Sequence, residues 1–434
     1  MIKKNFLNDK SLKEIVSKSA TYFFLRIFAF VFAYLFAILT TRNFGESTFG
    51  YVTLAFSILM ISSVICRLGF DINLTRIVAQ DKENKQIGLY TKSIIISFLL
   101  SLLLSIIIYF NANYISINIF NKEGFIPYLK WISFAIPLWS MILINSFVFR
   151  GYKKTFLYSI FNSFGRFLLT TILLITFIYL YGDKYVYAPI VAHFFGLVIL
   201  CIGSFIFIKK TIKDVSLKNE MPFKLFFNSS FPMFLSTSLI ILLTWVDKVY
   251  LGYYVEEEKI GIYDISLRIA ALIGFTLEAL NSILTPKISE AYINKDYKTM
   301  QKEITFSAKI NFFLSIGVFL FIIIFSKYIL QVFSEKFIQG QIVLFICCIG
   351  QLVNAFSGPV GNILQMTGQQ KIFTKIIAIA FLINLILNPI LIQIYDIEGA
   401  AISMVISMVF WNFTSSYFVY KKLGIKSYYL PFIK

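Results

Sequence analysis

Most of the residues on which enzyme chemistry depends are scarce in this chain. One histidine and four cysteines occur in 434 residues. The cysteines (Cys66, Cys201, Cys347 and Cys348) sit in or at the ends of apolar runs without paired spacing, so they read as packing residues and not as disulfide partners or metal ligands. A lone imidazole, His193, makes no metal site; within an apolar run it is expected to be a structural hydrogen-bonding group. The phosphate-cradling patterns GxxxxGK[ST] and GxGxxG are missing, as are HExxH, CxxC and the Gly-x-Ser-x-Gly elbow. Charged residues make up only 14% of the chain. No polar stretch is longer than about 30 residues, too short for a nucleotide-binding domain or for a large external loop. The expectation is a protein that is not an enzyme, with no metal and no cofactor.

What fills the chain is hydrocarbon. Hydrophobic residues make up 58% of it and the mean hydropathy is +0.78, values that describe a polytopic membrane protein. Apolar runs of spanning length fall at 21–41, 49–66, 92–114, 125–149, 156–181 and 185–208, then at 226–248, 262–284, 310–326, 339–364, 372–394 and 399–420. Each is continuous and about twice the ten residues of a barrel strand, so each predicts a helix. The expected fold class is all-α, with twelve transmembrane helices.

A net charge of +18 would suggest a nucleic-acid partner in a soluble chain, but its distribution argues otherwise. With the N-terminus in the cytoplasm, 29 of the 40 basic residues lie at inside ends and loops and 8 lie outside, while Arg26, Arg166 and Arg268 fall within spans. This is the positive-inside bias; it places both termini in the cytoplasm and requires an even number of spans. The opening MIKKNFLNDK lacks a small-residue cleavage site, so the first span is retained. The overlapping stretch NDKSLKEIVSK puts Leu12, Ile15 and Val16 on one side, which fits a short helix on the inner leaflet.

Self-comparison reveals a duplication. NSFVFRGYKKTF (145–156) lies over NILQMTGQQKIF (362–373), aligning Asn145 with Asn362, Gly151 with Gly368, Lys154 with Lys371 and Phe156 with Phe373. At nearly the same offset Gly50 falls on Gly261, Arg76 on Lys287, and Lys209-Lys210 on Lys421-Lys422. Six spans per half make the two halves enter from the same side, as parallel repeats. The expected organisation is a cytoplasmic N-terminal segment (1–20), a first six-helix lobe (21–208), a basic cytoplasmic linker (209–225), a second lobe (226–420) and a cytoplasmic tail (421–434).

Polar residues inside the spans carry the functional signal. In IYDISLRIAALIGFTLEALNSIL (262–284), Asp264, Arg268, Ala271, Phe275, Glu278 and Ser282 share an arc of about 80°. A charge at the bilayer centre costs about 2.5–3.5 kcal/mol even on the mildest scale, so this stripe must face a bundle interior or a watery cavity. Asp264 and Arg268, at i and i+4, can also form a purely structural ion pair. In the first span Tyr22, Arg26, Ala29, Ala33, Ala37 and Thr40 share a face, with the alanines also spaced for close helix contact. The fifth span groups Ser159, Asn162, Ser163, Arg166 and Thr170; the fourth and seventh carry Pro137 and Pro232, and the seventh ends on Asp247 and Lys248. Prolines at these depths suggest kinks in helices that move. A central cavity between the two lobes accounts for all of these faces.

Two stretches resemble a known family. RLGFDINLTRIVAQDKENK (67–85) and TWVDKVYLGYYVEEEKIGIYDISLRIA (244–270), with the pattern Asp247, Lys248, Gly252, Gly261, Tyr263 and Arg268, are similar to segments of the O-antigen and polysaccharide repeat-unit flippases of the multidrug, oligosaccharidyl-lipid and polysaccharide exporter superfamily. The resemblance covers essentially the whole chain. It implies transport of an undecaprenyl-pyrophosphate-linked oligosaccharide from the cytoplasmic to the outer leaflet of a bacterial inner membrane by alternating access. A polysaccharide polymerase and a chain-length regulator would be partners beside the membrane lipid. It also implies a cationic cavity, with Arg26 and Arg268 at the matching places to capture the pyrophosphate and Arg166 as a further candidate. Asp264, Glu278 and Asp247 depart from a purely cationic pattern and are the candidate ion-coupling or cavity acids. The alternative reading is a cation-coupled multidrug exporter of the same superfamily, against which stands the net positive charge of the membrane-embedded arginines and acids.

Overall fold

The computed structural model describes residues 10–81, 86–212 and 217–429, the side chains of residues 10–22, 282 and 283 excepted. The α-helices of five residues or more are α1 (Lys10–Arg67), α2 (Phe70–Gln80), α3 (Ile87–Phe110), α4 (Ile126–Gly151), α5 (Thr155–Ser159), α6 (Gly165–Tyr181), α7 (Ala188–Thr211), α8 (Phe223–Tyr254), α9 (Glu257–Ile293), α10 (Tyr297–Gln331), α11 (Gln341–Ser357), α12 (Val360–Met366) and α13 (Gln370–Leu423). No strand occurs among the described residues. Ten helical stretches among them are long and apolar enough to cross a membrane.

Two of those stretches are much longer than a bilayer is thick. At 1.5 Å per residue, α1 would reach about 87 Å, nearly three times a hydrocarbon core. Its helical run is interrupted at Gly45 (φ 85°, ψ 170°), a backbone conformation open essentially to glycine alone. The apolar runs 21–41 and 49–66 fall on either side of that break. In α13 the interruption is at Asp396 (φ 56°, ψ −134°), whose carboxylate pairs with the Lys259 ammonium. The short surface helix expected before the first span is continuous in backbone with α1 from Lys10, and the side chains that would define its face lie outside the described residues. The run 339–364 is divided where Pro359 follows Gly358, between α11 and α12, since a proline disfavours helical geometry in the residue before it. Pro137 and Pro232, by contrast, lie inside the uninterrupted helices α4 and α8. Changes of winding fall instead at Ile115–Ile119, a π-helical turn after α3, and at Ile160–Phe164, a π-helical turn between α5 and α6.

On α3 burial is the reverse of that in a soluble protein. On α3 the leucines and isoleucines at 99, 102, 103 and 106 are exposed, whereas Ser93, Ser97, Ser101 and Ser105 are buried. Serines four residues apart form a slim face that lets a neighbouring helix approach closely. Ser93 and Ser101 satisfy their own hydroxyls on Leu89 and Phe98 carbonyls, at 2.7 and 2.9 Å. Side-chain hydrogen bonds then fasten α3, α4 and α7: Tyr90 donates to Asn145 Oδ1 at 2.9 Å, and Asn145 donates to Ser204 Oγ at 2.9 Å. Such bonds contribute about 0.6–1.7 kcal/mol each inside a membrane.

The chain divides into two compact units, Met1–Trp245 and Val246–Lys434. The sequence places the boundary in the linker 209–225; the structure places it inside α8. The reason is visible in the contacts of the linker and the start of α8. Gly88 N–H donates to the Lys218 carbonyl at 3.1 Å, Lys92 Nζ donates to Asn219 at 2.6 Å, and Met221 N–H donates to Gln86 at 3.1 Å. Asn73 then donates to the Phe226 carbonyl and to Ser229 and Ser230 hydroxyls at 2.8–3.1 Å, while the Phe70 ring stacks on Phe226. The first turns of α8 are thus bound into the first unit. The closest approach is at Gly88, where an added Cβ would lie 2.3 Å from the Lys218 carbonyl oxygen. Gly88→Ala is expected to detach the linker and speed trypsin cleavage after Lys218 in the purified protein; an unchanged cleavage rate would contradict this docking.

Candidate functional site

The second unit gathers its buried charged side chains into one cluster. Asp247 and Lys248 are neighbours on α8, and Tyr263 and Asp264 are neighbours on α9. Adjacent helical positions diverge by about 100°, so each pair addresses two different partners. The two pairs interlock. Tyr263 donates its hydroxyl to Asp247 Oδ2 at 3.0 Å, and Lys248 Nζ lies 2.6 Å from Asp264 Oδ1. One turn further on α9, Arg268 donates Nε–H to Asp264 Oδ2 at 2.6 Å. From α13, Asn388 donates to Asp247 Oδ1 at 2.8 Å and to Asn384 Oδ1 at 2.9 Å, and Ser403 donates to the Asn384 carbonyl at 3.3 Å.

Two carboxylates and two cations make this cluster neutral when all four are charged. Burial sets the demand for pairing, because each ion withdrawn from water costs several kcal/mol that only close partners offset. The Asp264 side chain is fully buried and that of Lys248 is 5% exposed, but that of Arg268 is 22% exposed. Arg268 is therefore the member that reaches the surface of the unit. Around Asp247, the Asn388 Oδ1 atom is buried and has no hydrogen-bond partner among the described residues. A carboxylate beside a spare amide oxygen is the kind of donor set a small hard cation or a proton uses. No group of three histidine, cysteine or acidic side chains suited to a metal occurs among the described residues.

Glu278, by contrast, is exposed on α9, ten residues beyond Arg268 and about 15 Å along the helix, so the stripe read from the sequence separates into a buried cluster and an outlying acid. The Ser282 side chain lies outside the described residues. In the first unit Arg166 is buried. It donates Nε–H to His193 Nε2 at 2.9 Å, and its Cζ sits 4.7, 5.0 and 5.1 Å from the ring centroids of Phe56, Trp139 and Phe167. The ring faces replace part of the guanidinium's hydration, and His193, as the acceptor, has the structural role expected of it. Arg26 is half-buried on α1, with Cζ 6.0 Å from the Phe30 ring centroid. Ala29, Ala33 and Ala37 are buried, as close-contact residues are.

Sequence reasoning missed Lys248 as the second cation on Asp264, Tyr263 as a donor to Asp247, and the amides Asn384 and Asn388. The last two had a signal: two asparagines four residues apart in an otherwise apolar span must satisfy each other or something charged.

An all-helical membrane protein with charges paired inside its spans has features that secondary transporters share. Residues 15–292, well over half of the chain, match the polysaccharide biosynthesis protein family, and residues 232–390 match the MatE family. The chain belongs to the polysaccharide biosynthesis protein family, within the exporter superfamily that its Asp247-to-Arg268 pattern resembles. It is 25% identical over 187 residues to the probable low-salt glycan biosynthesis flippase Agl15 of Haloferax volcanii, a match spanning 43% of this chain and 40% of that protein. It is 22% identical over 404 residues to a putative O-antigen transporter of Shigella flexneri, covering 88% of this chain and 93% of that one. Among solved structures it is similar to the lipid II flippase MurJ in an inward closed conformation, with a TM-score of 0.75 and 18% identity over 93% of this chain and 87% of that one. At that identity the likeness establishes the fold.

Asp264→Asn leaves Lys248 and Arg268 beside each other without their carboxylate. It should destabilise the purified protein by about 3 kcal/mol or more, read as a lowered thermal unfolding midpoint in detergent. A midpoint equal to wild type would mean that the three groups are not coupled.

Proposed function

We propose that this protein is a flippase that moves an undecaprenyl-pyrophosphate-linked oligosaccharide repeat unit from the cytoplasmic to the outer leaflet of a bacterial inner membrane, by alternating access over twelve spans with both termini cytoplasmic. The observation that carries this reading is Arg268, a partly exposed guanidinium on a buried carboxylate that has a second cation. A guanidinium is always charged, and its planar fork suits phosphate oxygens bidentately. Lending such a group to a substrate would ordinarily strand its buried partner, at a cost of about 3–5 kcal/mol. Lys248, 2.6 Å from the other oxygen of Asp264, keeps that carboxylate compensated while Arg268 turns to the pyrophosphate. Arg26 on α1 is the second proposed phosphate ligand. Arg166, enclosed by Phe56, Trp139, Phe167 and His193, contributes fixed positive charge.

The names of the relatives support the same direction, a glycan biosynthesis flippase and a putative O-antigen transporter. Under this reading the repeat unit passes to a polysaccharide polymerase and its chain-length regulator. A coupling acid must be withdrawn from water, and Asp247, buried with Tyr263 and Asn388 as donors, meets that condition. Glu278 is exposed, and Asp264 is committed to two cations. The match of residues 232–390 to the MatE family keeps a cation-coupled drug exporter as the second reading; it requires a substrate of opposite charge.

Arg268→Ala and Arg26→Ala should each abolish surface polysaccharide in cells that depend on this protein, with protein abundance unchanged, while Arg→Lys at either position retains part of it. Recovery of function in the double variant Asp264→Asn/Arg268→Gln would reduce Arg268 to an ion-pair member and overturn its headgroup role. The topology has its own check. Single cysteines at Leu217 and at Glu256 should react with an impermeant maleimide from opposite faces, Glu256 from outside; reaction from one face would refute the twelve-span arrangement.

A further inference from the structure

In the first unit, where α3 ends and α4 begins, lies an open depression of about 320 Å³ lined by Tyr109, Ile126, Pro127, Lys130, Trp131 and Phe134. Three of these side chains carry hydrogen-bond donors: a phenol, an ammonium and an indole N–H. Among the described residues none of the three donors has a protein acceptor, and no carboxylate pairs with Lys130. The Lys130 ammonium stands 5.7 Å from the Tyr109 ring centroid, so among those residues the aromatic wall is its only partner. The remaining surface is apolar and continues along the perimeter. Trp131 packs 5.3 Å from Phe194, and Phe134 packs 6.4 Å from it, while Phe110, Phe134 and Phe195 are exposed.

A ligand that fits has an anionic oxygen-rich head and hydrocarbon chains. We propose that the depression binds the phosphate head of an anionic glycerophospholipid. Lys130 pairs with the phosphate, and Tyr109 and Trp131 donate to its phosphate or ester oxygens. The acyl chains lie along Phe134, Phe194 and Phe195. An interfacial aromatic belt alone meets every lipid alike; the lysine without a carboxylate partner is what confers a preference for negative heads. The site does not depend on what the protein transports.

The test uses the purified full-length protein equilibrated with vesicles of equimolar phosphatidylglycerol and phosphatidylcholine, with retained lipids counted by native mass spectrometry. Wild type should retain phosphatidylglycerol over phosphatidylcholine by about fivefold, the ratio expected for one basic residue near an anionic head. Lys130→Gln should lose that preference and Lys130→Arg should keep it. As a measurement independent of retention, added phosphatidylglycerol should raise the thermal midpoint of wild type and of Lys130→Arg but not of Lys130→Gln. Equal retention of the two lipids by wild type, or an undiminished preference in Lys130→Gln, would overturn the proposal. So would displacement of phosphatidylglycerol by an equal concentration of a polyprenyl monophosphate, which would give the site to another lipid.

Discussion

A carboxylate inside a hydrocarbon slab must bring its counter-charge with it. Asp264 is fully buried on the most enclosed span of the second unit, and its two oxygens are each met by a cation at 2.6 Å. Much of the local architecture stems from that demand. Lys248 has to come from α8, which fixes the rotation of that helix and turns its neighbour Asp247 toward Tyr263 and Asn388. Asn388 in turn holds Asn384, and so α13 is tied to the same group of ions. The stabilisation is reciprocal: buried Lys248 and buried Asp264 are each tolerated in the membrane only while the other remains.

The surplus of one cation over Asp264's need is what separates a structural ion pair from a site able to act. A single Arg268–Asp264 pair would lock both groups, since removing either leaves a buried charge. With Lys248 present, the guanidinium that is 22% exposed can exchange partners while the buried carboxylate stays neutralised. The first unit handles its own buried cation differently. Arg166 is held by ring faces and a neutral imidazole, an arrangement that tolerates buried positive charge.

The all-helical class, the membrane and the candidate arginines were legible from hydropathy, charge bias and the intramembrane charges, because a bilayer imposes length and polarity rules on every span. The pairing of Asp264 with Arg268 was legible too, being local at i and i+4. Lys248 was visible as a residue but not as a partner, since its contact with Asp264 joins two helices whose relative rotation no local pattern encodes. The same holds for Asn384 and Asn388. The stripe that put Glu278 with Asp264 treated α9 as a straight cylinder with one environment along its length, whereas neighbours cover only part of it. The division of the chain inside α8 was hidden for a related reason: composition marks 209–225 as a linker, but hydrogen bonds donated by Asn73 and Lys92 and accepted by Gln86 bind the linker's end and the first turns of α8 to the first unit.

Transport selected by the charge of the lipid head is the central claim, and it is measured most directly in vesicles. The purified protein would be reconstituted with a fluorescent oligosaccharide linked to polyprenyl pyrophosphate, and transbilayer movement monitored with an impermeant quencher. Movement should exceed that of the same oligosaccharide on a polyprenol without pyrophosphate by at least about tenfold, the value of one charge-assisted phosphate contact. Equal rates for the two lipids, or transport of a cationic dye with neither lipid moved, would contradict it.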